Sequence, residues 1–377
     1  MKSLKESLAR HHNNYRGWRT SRKIVVIESD DWGSVCMPSA EVRDKLLSKN
    51  YPVDRCPYAT YDALASEEDL EKLFSLLSGY RDSNGNTPVI TANTIMANPD
   101  FDKIRESGFT EYHYELFTET LKRYPSHKNS FELWKQARSE NLIFPQFHGR
   151  EHLNVKAWLD VLYVEDSGYR AVFPDEVTWL GPNQNGDSKI SIRAAFDTDT
   201  TEDIKKQREI IREGLDMFES LFGYRSKSFI APNFVYPSDL NEPLFQKGVR
   251  YIQGMKYQKL PMLDRPKREM VRHYQGEKNE AGQYHTVRNC VFEPSQYPIG
   301  RDNVSECLKG IKNAFFWRKP AVITAHRLNF IGFIDSKNRD RNLDQFRELL
   351  DAILKKWPDV EFMNSSQLGE LIEQGRE

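Results

Sequence analysis

The stretch KIVVIESDDWGS, residues 23–34, joins an apolar run to two adjacent carboxylates. The β-branched residues at 24–27 predict a strand that is covered on both faces. Asp30 and Asp31 follow at the carboxyl end of this strand. Two like charges side by side are costly where a buried strand ends. They are therefore either turn residues, a common use of aspartate, or part of a reaction site.

Further short apolar runs alternate with amphipathic helical stretches along the 377 residues. This alternation is typical of α/β folds with parallel strands. It predicts a barrel of the TIM type or a relative of it, in which sites form at the carboxyl ends of the strands. The predicted strands are KIVVIES (23–29), PVITANTI (88–95), LIFPQF (142–147), SKSFIAP (226–232), VRYIQG (249–254), HTVRNCVF (285–292), AVITAH (321–326) and VEFMN (360–364).

Two of the helical patterns carry recognisable ends. SEEDLEKLFSLLSGY predicts a helix that Ser66 opens and Gly79 closes. In the longer pattern TEDIKKQREIIREGLDMFESLFGY, Thr201 is the expected N-cap and Gly223 the expected C-cap. Both patterns place apolar residues on one face, which predicts helices packed against the sheet.

The composition excludes several classes of partner. The chain carries 54 basic and 55 acidic residues, a formal net charge of -1, so no overall field attracts nucleic acid or membranes. No apolar run of 18 residues predicts a membrane span. The polar, basic start lacks the apolar core of a secretory signal, and four scattered cysteines indicate free thiols in a reducing compartment. We therefore expect a cytoplasmic location.

Three predicted strands end in reactive side chains. The first runs into Asp30 and Asp31, the third into His148 and His152, and the seventh into His326. Two histidines four residues apart would share one face of a helical turn and could reach one ion. With a carboxylate they would form a set typical of catalytic divalent metals. Taken alone, the pair is a weak signal and is more typical of two histidines on a helix surface than of a metal site.

The order of these elements resembles that of the polysaccharide deacetylase family, whose NodB-homology domain is a distorted (β/α) barrel. ESDDWGS is similar to the T-F-D-D-G pattern of that family, and HGREHLN to its H-[ST]-x-x-H pattern. FIAPNF is similar to its R-x-P-[YF] pattern and ITAH to its late L-x-L-H pattern. The resemblance implies a single deacetylase-like barrel over residues 21–372, preceded by a polar extension over residues 1–20.

The resemblance also implies a division of roles among these residues. Asp31, His148 and His152 would hold one divalent metal ion, with zinc expected and cobalt, nickel, iron or manganese as alternatives. Asp30 would act as the general base and His326 as the general acid. A carboxylate on a metal stays an anion, whereas its free neighbour can exchange protons. This difference gives adjacent aspartates separate roles.

The chain departs from the family pattern at two positions near this site. Ile230 occupies the place of the arginine that orients the base in the family, and Arg150, Arg193 or no residue takes its role. Trp32 occupies the place of a glycine of the family pattern. Glu151, which lies between the two histidines in the sequence, is expected to face solvent. The residues expected to contact the substrate are Trp32, Asn93, Arg150, Arg288, Asn289 and Glu293.

The function that follows is metal-dependent hydrolysis of an acyl group, N-acetyl above all, from a carbohydrate. Cell-envelope or capsule polysaccharide synthesis is the expected setting, and no nucleic acid partner is expected. Two alternatives stay open. The same residues could cleave a non-sugar amide, or the chain could be a carbohydrate-binding relative that has lost catalysis.

Overall fold

Strand β1 (Lys23–Trp32) lies inside the main sheet and pairs in parallel with three neighbours. Ile27 faces Ile323 of one neighbouring strand and Ile90 of another. Buried apolar residues at 24–27 explain why this strand is covered on both faces. The computed structural model describes residues 2–181, 190–261, 263 and 269–375.

The main sheet contains every strand that the sequence predicts, and all its strand pairs are parallel. After β1, the strands are β2 (Ile90–Ile95), β3 (Ala97–Pro99), β4 (Tyr114–Leu116), β5 (Ile143–Gly149), β6 (Ser228–Phe229), β7 (Tyr251–Gly254), β8 (Tyr257–Lys259), β9 (Met270–Arg272), β10 (Tyr284–Val287), β11 (Cys290–Val291), β12 (Ala321–His326) and β13 (Val360–Met363). The order of strands in the main sheet is β10-β7-β6-β5-β2-β1-β12-β11, with β13 beside the start of β1. The antiparallel pairs β3–β4 and β8–β9 lie outside this sheet.

The two edges of this sheet are joined by one continuous segment, residues 284–291. Its first half, β10, pairs with β7, and its second half, β11, pairs with β12. Between them, the Arg288 N–H donates to Gly254 O and the Asn289 N–H to Val322 O. The segment therefore connects the ends of the sheet, which confirms the predicted distorted (β/α) barrel as the fold class.

The helices cover the outside of the sheet and mostly begin and end where the sequence predicts. Ser66 caps α4 in a capping box with Asp69, and Gly223 ends α10 in the left-handed conformation. The N-cap of α10 is Thr200 rather than Thr201, since the Thr200 side chain accepts from the Asp203 N–H. The helices are α1 (Lys2–Asn14), α2 (Ala40–Ser48), α3 (Pro57–Tyr61), α4 (Glu67–Ser78), α5 (Phe101–Glu106), α6 (Phe117–Lys122), α7 (Ser130–Ser139), α8 (Val155–Tyr163), α9 (Gly168–Val172), α10 (Thr201–Phe222), α11 (Asn241–Gln246), α12 (Asn303–Phe316), α13 (Ser336–Lys356) and α14 (Ser365–Glu373).

The polar segment before β1 contains helix α1 and is attached to the barrel by hydrogen bonds. The Asn14 side chain donates to Asn313 Oδ1 and accepts from Asn289 Nδ2. Lys319 Nζ donates to the carbonyls of Gly17 and Trp18 at 2.5 and 2.6 Å. The division at residue 20 stays a prediction, but this segment is docked where the structure describes it.

The cysteines are free, as the sequence predicted. Cys36, Cys56, Cys290 and Cys307 are all free thiols and buried. Within the described parts of the chain, the helices are all too short or too polar to traverse a lipid bilayer.

Candidate metal centre and its polar surroundings

A bulge at the end of β1 explains how two adjacent aspartates reach the same region. Successive side chains of a regular strand point to opposite faces. Here the register with β2 shifts between Ser29 and Trp32, and Asp31 adopts a positive φ of 71°. Such a backbone costs a non-glycine residue about 1–2 kcal/mol, and strain of this kind concentrates at functional sites.

Asp31 converges with the two histidines of the HGREH segment. Asp31 Oδ1 lies 3.3 Å from His148 Nε2 and 3.1 Å from His152 Nε2. One ligand atom from each residue falls within 4.8 Å of the other two. The side chains are only 2–7 % exposed. These three residues form the triad that the sequence predicted would come together.

The hydrogen bonds and charges of the triad suit a divalent metal. His148 Nδ1 donates to the Ile230 carbonyl at 2.8 Å, which leaves the Nε2 lone pair for an ion. Burial, with the nearby Arg193, lowers the pKa of His152 to about 4, so its imidazole is neutral at pH 7. Burial alone would raise the pKa of Asp31, but the imidazoles outweigh it and hold the pKa well below its ordinary value. A buried carboxylate with two histidines fits zinc or a similar ion.

The backbone that brings the histidines together is not the helical turn that the sequence suggested. His148 lies in β5, and His152 lies in the loop between β5 and α8. Gly149 has a φ of 141°, a conformation that L side chains rarely adopt, and it turns the chain from strand into loop. Because both imidazoles are buried against Asp31, the reading as surface histidines on a helix is wrong for this pair.

Arg288 holds Asp30 in the next part of the site. Arg288 Nη1 and Nη2 donate to the two oxygens of Asp30 at 2.7 and 2.6 Å, and its Nε donates to Glu28 at 2.6 Å. Asn93 Nδ2 adds a bond to Asp30 Oδ1 at 2.7 Å. Burial would raise the pKa of Asp30, but Arg288 outweighs it and lowers the pKa to about 2.

The contact between Arg288 and Asp30 shows which arginine orients Asp30, given that Ile230 occupies the place of the family's arginine. The arginine that orients Asp30 comes from the segment between β10 and β11, and neither Arg150 nor Arg193 contacts Asp30. Arg288 and Asn93 are fully buried among protein groups, so the structure gives them a positioning role instead of the expected contact with substrate. Glu28, which pairs with Arg288, was not singled out in the sequence.

His326 lies at the end of β12 between two carboxylates. Its Nδ1 donates to Glu293 Oε1 at 2.5 Å, and its Nε2 lies 3.8 Å from Asp30 Oδ2. Asn329 Nδ2 donates to the other oxygen of Glu293 at 2.7 Å. Burial would lower the pKa of His326, but Glu293 and then the aspartates outweigh it and raise the pKa to about 9. At neutral pH this imidazole is therefore a cation with a proton on Nε2.

Tyr58 of α3 covers this part of the site, although nothing in the sequence pointed to it individually. Its ring stands edge-on to the His326 ring at 5.3 Å, and its hydroxyl accepts from Gln296 Nε2 at 2.8 Å. The guanidinium of Arg193 lies 5.6 Å from the centre of the same ring. α3 belongs to the long segment between β1 and β2.

Three of the residues expected to bind substrate instead contact protein groups outside the triad and its neighbouring ion pairs. Trp32 is fully buried, donates to Ser29 Oγ and packs edge-on against Trp134, so it is a core residue. Asn289 donates to Asn14 and to the Pro320 carbonyl.

Arg150 is the third of these, and its surroundings also correct the expectation for Glu151. Arg150 binds Glu151 at 2.6 and 2.9 Å and Glu213 at 2.5 Å, and it lies over the Tyr114 ring. Glu151 is therefore only 2 % exposed and does not face solvent as expected. The charge of Arg150 balances that burial.

Comparison with known proteins gives only distant structural likenesses. No protein-family model and no curated protein sequence matches the chain. A candidate polysaccharide deacetylase from Mycobacterium smegmatis is 11 % identical, with coverage of 95 % of this chain and 93 % of that one and a TM-score of 0.45. A second, from Pseudomonas aeruginosa PAO1, is 10 % identical over 94 % and 93 % with a TM-score of 0.46. A structure named PuuE allantoinase is 10 % identical over 94 % and 91 % with a TM-score of 0.43. The solved structures similar to this chain thus include proteins named as polysaccharide deacetylases, the family that its motifs resemble.

Proposed function

We propose that this chain is a metal-dependent hydrolase that removes an acyl group, N-acetyl above all, from a carbohydrate. The observation that carries the proposal is that three sets of side chains come together at the carboxyl ends of the barrel strands. These are the triad of Asp31, His148 and His152, the Asp30–Arg288 pair and the His326–Glu293 pair. The carbohydrate part rests on the motif resemblance.

The triad would hold the ion, and a divalent ion there supplies Lewis acidity to the group that is cleaved. Asp30 is an anion fixed by Arg288 and Asn93, so its Oδ2 can accept a proton from water. His326 is protonated at neutral pH, and its Nε2 faces the same region, so it can donate a proton to the departing nitrogen. The base and the acid are thus side by side and in opposite protonation states.

Acetate release from N-acetylated amino sugars tests the proposal. The purified chain is stripped of metal, reloaded with Zn²⁺, Co²⁺ or Ni²⁺, and its metal content is measured by elemental analysis. We expect acetate release that requires bound metal and is lost in Asp30→Asn, which leaves the triad intact. Metal-loaded protein that cleaves no acylated sugar would refute the carbohydrate assignment, and protein that binds no metal would favour a non-catalytic relative.

A second candidate reaction is cleavage of a C–N bond in a small non-sugar amide. The enclosure of the site favours it, since Asp30 and Asp31 are each 2 % exposed and Tyr58 covers His326. An enclosed site accepts a small molecule more readily than the interior of a long polymer. A screen of small amides against acetylated oligosaccharides, with the same metal-loaded protein, separates the two reactions.

A further inference from the structure

Arg193 differs from the other buried arginines of the described chain. Four of them place a nitrogen within 2.8 Å of a carboxylate oxygen, namely Arg150, Arg288, Arg327 and Arg339. Arg193 is 7 % exposed, and among the residues that the structure describes its closest ion-pair partner is Asp31, with Oδ2 at 3.4 Å. Its other close polar contact among the described residues is Cys36 Sγ at 3.0 Å. Its charge is thus the least well balanced of the five.

The described surroundings of Arg193 do not supply a free anion. A second carboxylate near it, Asp62, is paired with Arg327 through its Oδ1. Burial raises the pKa of the Cys36 thiol to about 12, so this sulfur is neutral at pH 7. The guanidinium lies 5.6 Å from the centre of the Tyr58 ring and 5.2 Å from the centre of the Trp179 ring. Aromatic faces stabilise a cation by about 0.5–2 kcal/mol, which is less than a buried guanidinium requires.

Metal binding makes this imbalance larger. Asp31 is shared between the triad and Arg193. Histidines ligate a metal as neutral imidazoles, so a divalent ion on Asp31 leaves one net positive charge beside Arg193. Two neighbouring positive charges in a buried site favour an anion from outside. The fork of a guanidinium matches a carboxylate better than it matches any neutral group.

We infer that Arg193 is a specificity-determining residue that binds a carboxylate of the substrate next to its acyl-nitrogen bond. This inference rests on the proposed function and narrows the substrate class to N-acyl compounds that carry such a carboxylate. Arg193 is buried beside the rings of Tyr58 and Trp179, and surroundings of low polarity strengthen a charged hydrogen bond. Arg193 has no contact with Asp30 or His326 and takes no part in proton transfer.

Two pairs of probes that differ in one carboxylate test this assignment. N-acetylmuramic acid is compared with N-acetylglucosamine, and N-acetylalanine with N-acetylalaninamide. Binding to the Zn²⁺-loaded protein is measured by calorimetry, and kcat/KM by release of acetate. We expect at least one anionic probe to bind about 10- to 100-fold more tightly than its neutral twin, the range of a charge-assisted hydrogen bond.

Three variants identify the source of that preference. Arg193→Gln should abolish it, while Arg193→Lys should keep part of it because the charge remains. Arg250→Gln removes a charge from an exposed arginine that stacks on Phe245, so it should keep the preference in full. Equal binding of both members of each pair by the parent chain, or an unchanged preference in Arg193→Gln, would overturn the inference.

The readouts also separate this inference from the proposed function. Tighter binding of the anionic probe that depends on Arg193, without acetate release from any probe, supports the anion site and refutes the hydrolase. Acetate release with equal kcat/KM for the two members of a pair, unaffected by Arg193→Gln, supports the hydrolase and refutes the anion site. The thermal midpoint of each variant shows whether it is folded.

Discussion

Arg288 donates hydrogen bonds to both carboxylate oxygens of Asp30, although the two residues lie 258 positions apart in the chain. The contact forms only because the 284–291 segment joins the two edges of the sheet and brings β11 close to β1 through β12. Its consequence is that Asp30 has one fixed orientation beside the triad. Closure of the barrel and placement of the proposed base are therefore the same structural event.

Arg288→Lys is expected to reduce kcat on the order of 100-fold, with little change in metal content. A lysine keeps the charge but cannot hold two carboxylate oxygens with a planar fork, and misplacement by about 1 Å costs this much in rate. Steady-state kinetics with elemental analysis checks the expectation. A normal kcat in a folded, metal-loaded variant would contradict it.

Arg339→Lys is the matched control for that change. Arg339 is equally buried and binds Asp69 at 2.8 Å, in a contact between α13 and α4. Its replacement should lower the thermal midpoint by a similar amount, since both variants weaken a buried ion pair. The control should keep its kcat, because neither Arg339 nor Asp69 contacts Asp30, His326 or the triad.

His148→Ala is expected to abolish tight metal binding and the rise in thermal midpoint that bound metal produces. A ligand that binds only the folded state stabilises it by about 2.7 kcal/mol when present at 100 times its dissociation constant. Calorimetric titration with Zn²⁺ measures the binding, and His127→Ala serves as the control. His127 is also buried, but it contacts the Leu64 carbonyl and lies outside the triad. Full metal occupancy in His148→Ala would remove this residue from the ligand set.

The pH dependence of kcat/KM is expected to follow the proton on His326. Because the folded pKa is raised from 6.5 to about 9, the acid form persists through neutral pH, and activity should fall as pH rises through 9. Glu293→Gln removes the main opposing charge while burial remains, so the alkaline limb should move to lower pH. A limb at the same pH in both proteins would show that His326 is not the acid.

The strands and helix ends were predictable because their signals are local. Four apolar residues at 24–27 specify a buried strand wherever it pairs, and Ser66 with Asp69 satisfies the first turn of α4 without help from the rest of the chain. The candidate triad was predicted from the resemblance of its motifs to a known family, since the histidine pair alone indicates a metal site only weakly. The capping residue of α10 was missed by one position because Thr200 and Thr201 are chemically alike.

The partners of the site residues were not predictable, because they depend on closure of the barrel. Arg288 and Glu293 were expected to contact the substrate, but their pairing with Asp30 and His326 depends on contacts between distant parts of the chain. The bulge at Asp31 could not be predicted, because nothing in the sequence around Asp30, Asp31 and Trp32 marks a change of register. Tyr58 contacts His326 from the short helix α3, which the strand and helix patterns of the sequence did not predict.

Gly214→Ala tests the packing of helix α10 against strand β5. Alanine favours an exposed helix by about 1 kcal/mol over glycine, yet a Cβ at position 214 of α10 would lie 2.7 Å from the Phe147 ring and 3.1 Å from Arg150 Cβ. Overpacking of this kind costs about 1–3 kcal/mol, so we expect a net lower free energy of unfolding in urea and weaker metal binding, since His148 follows Phe147. Gly79→Ala at the end of α4 meets only the Leu76 carbonyl at 3.4 Å and should be close to neutral. Equal stability of the two variants would mean that α10 can move away from β5 without cost.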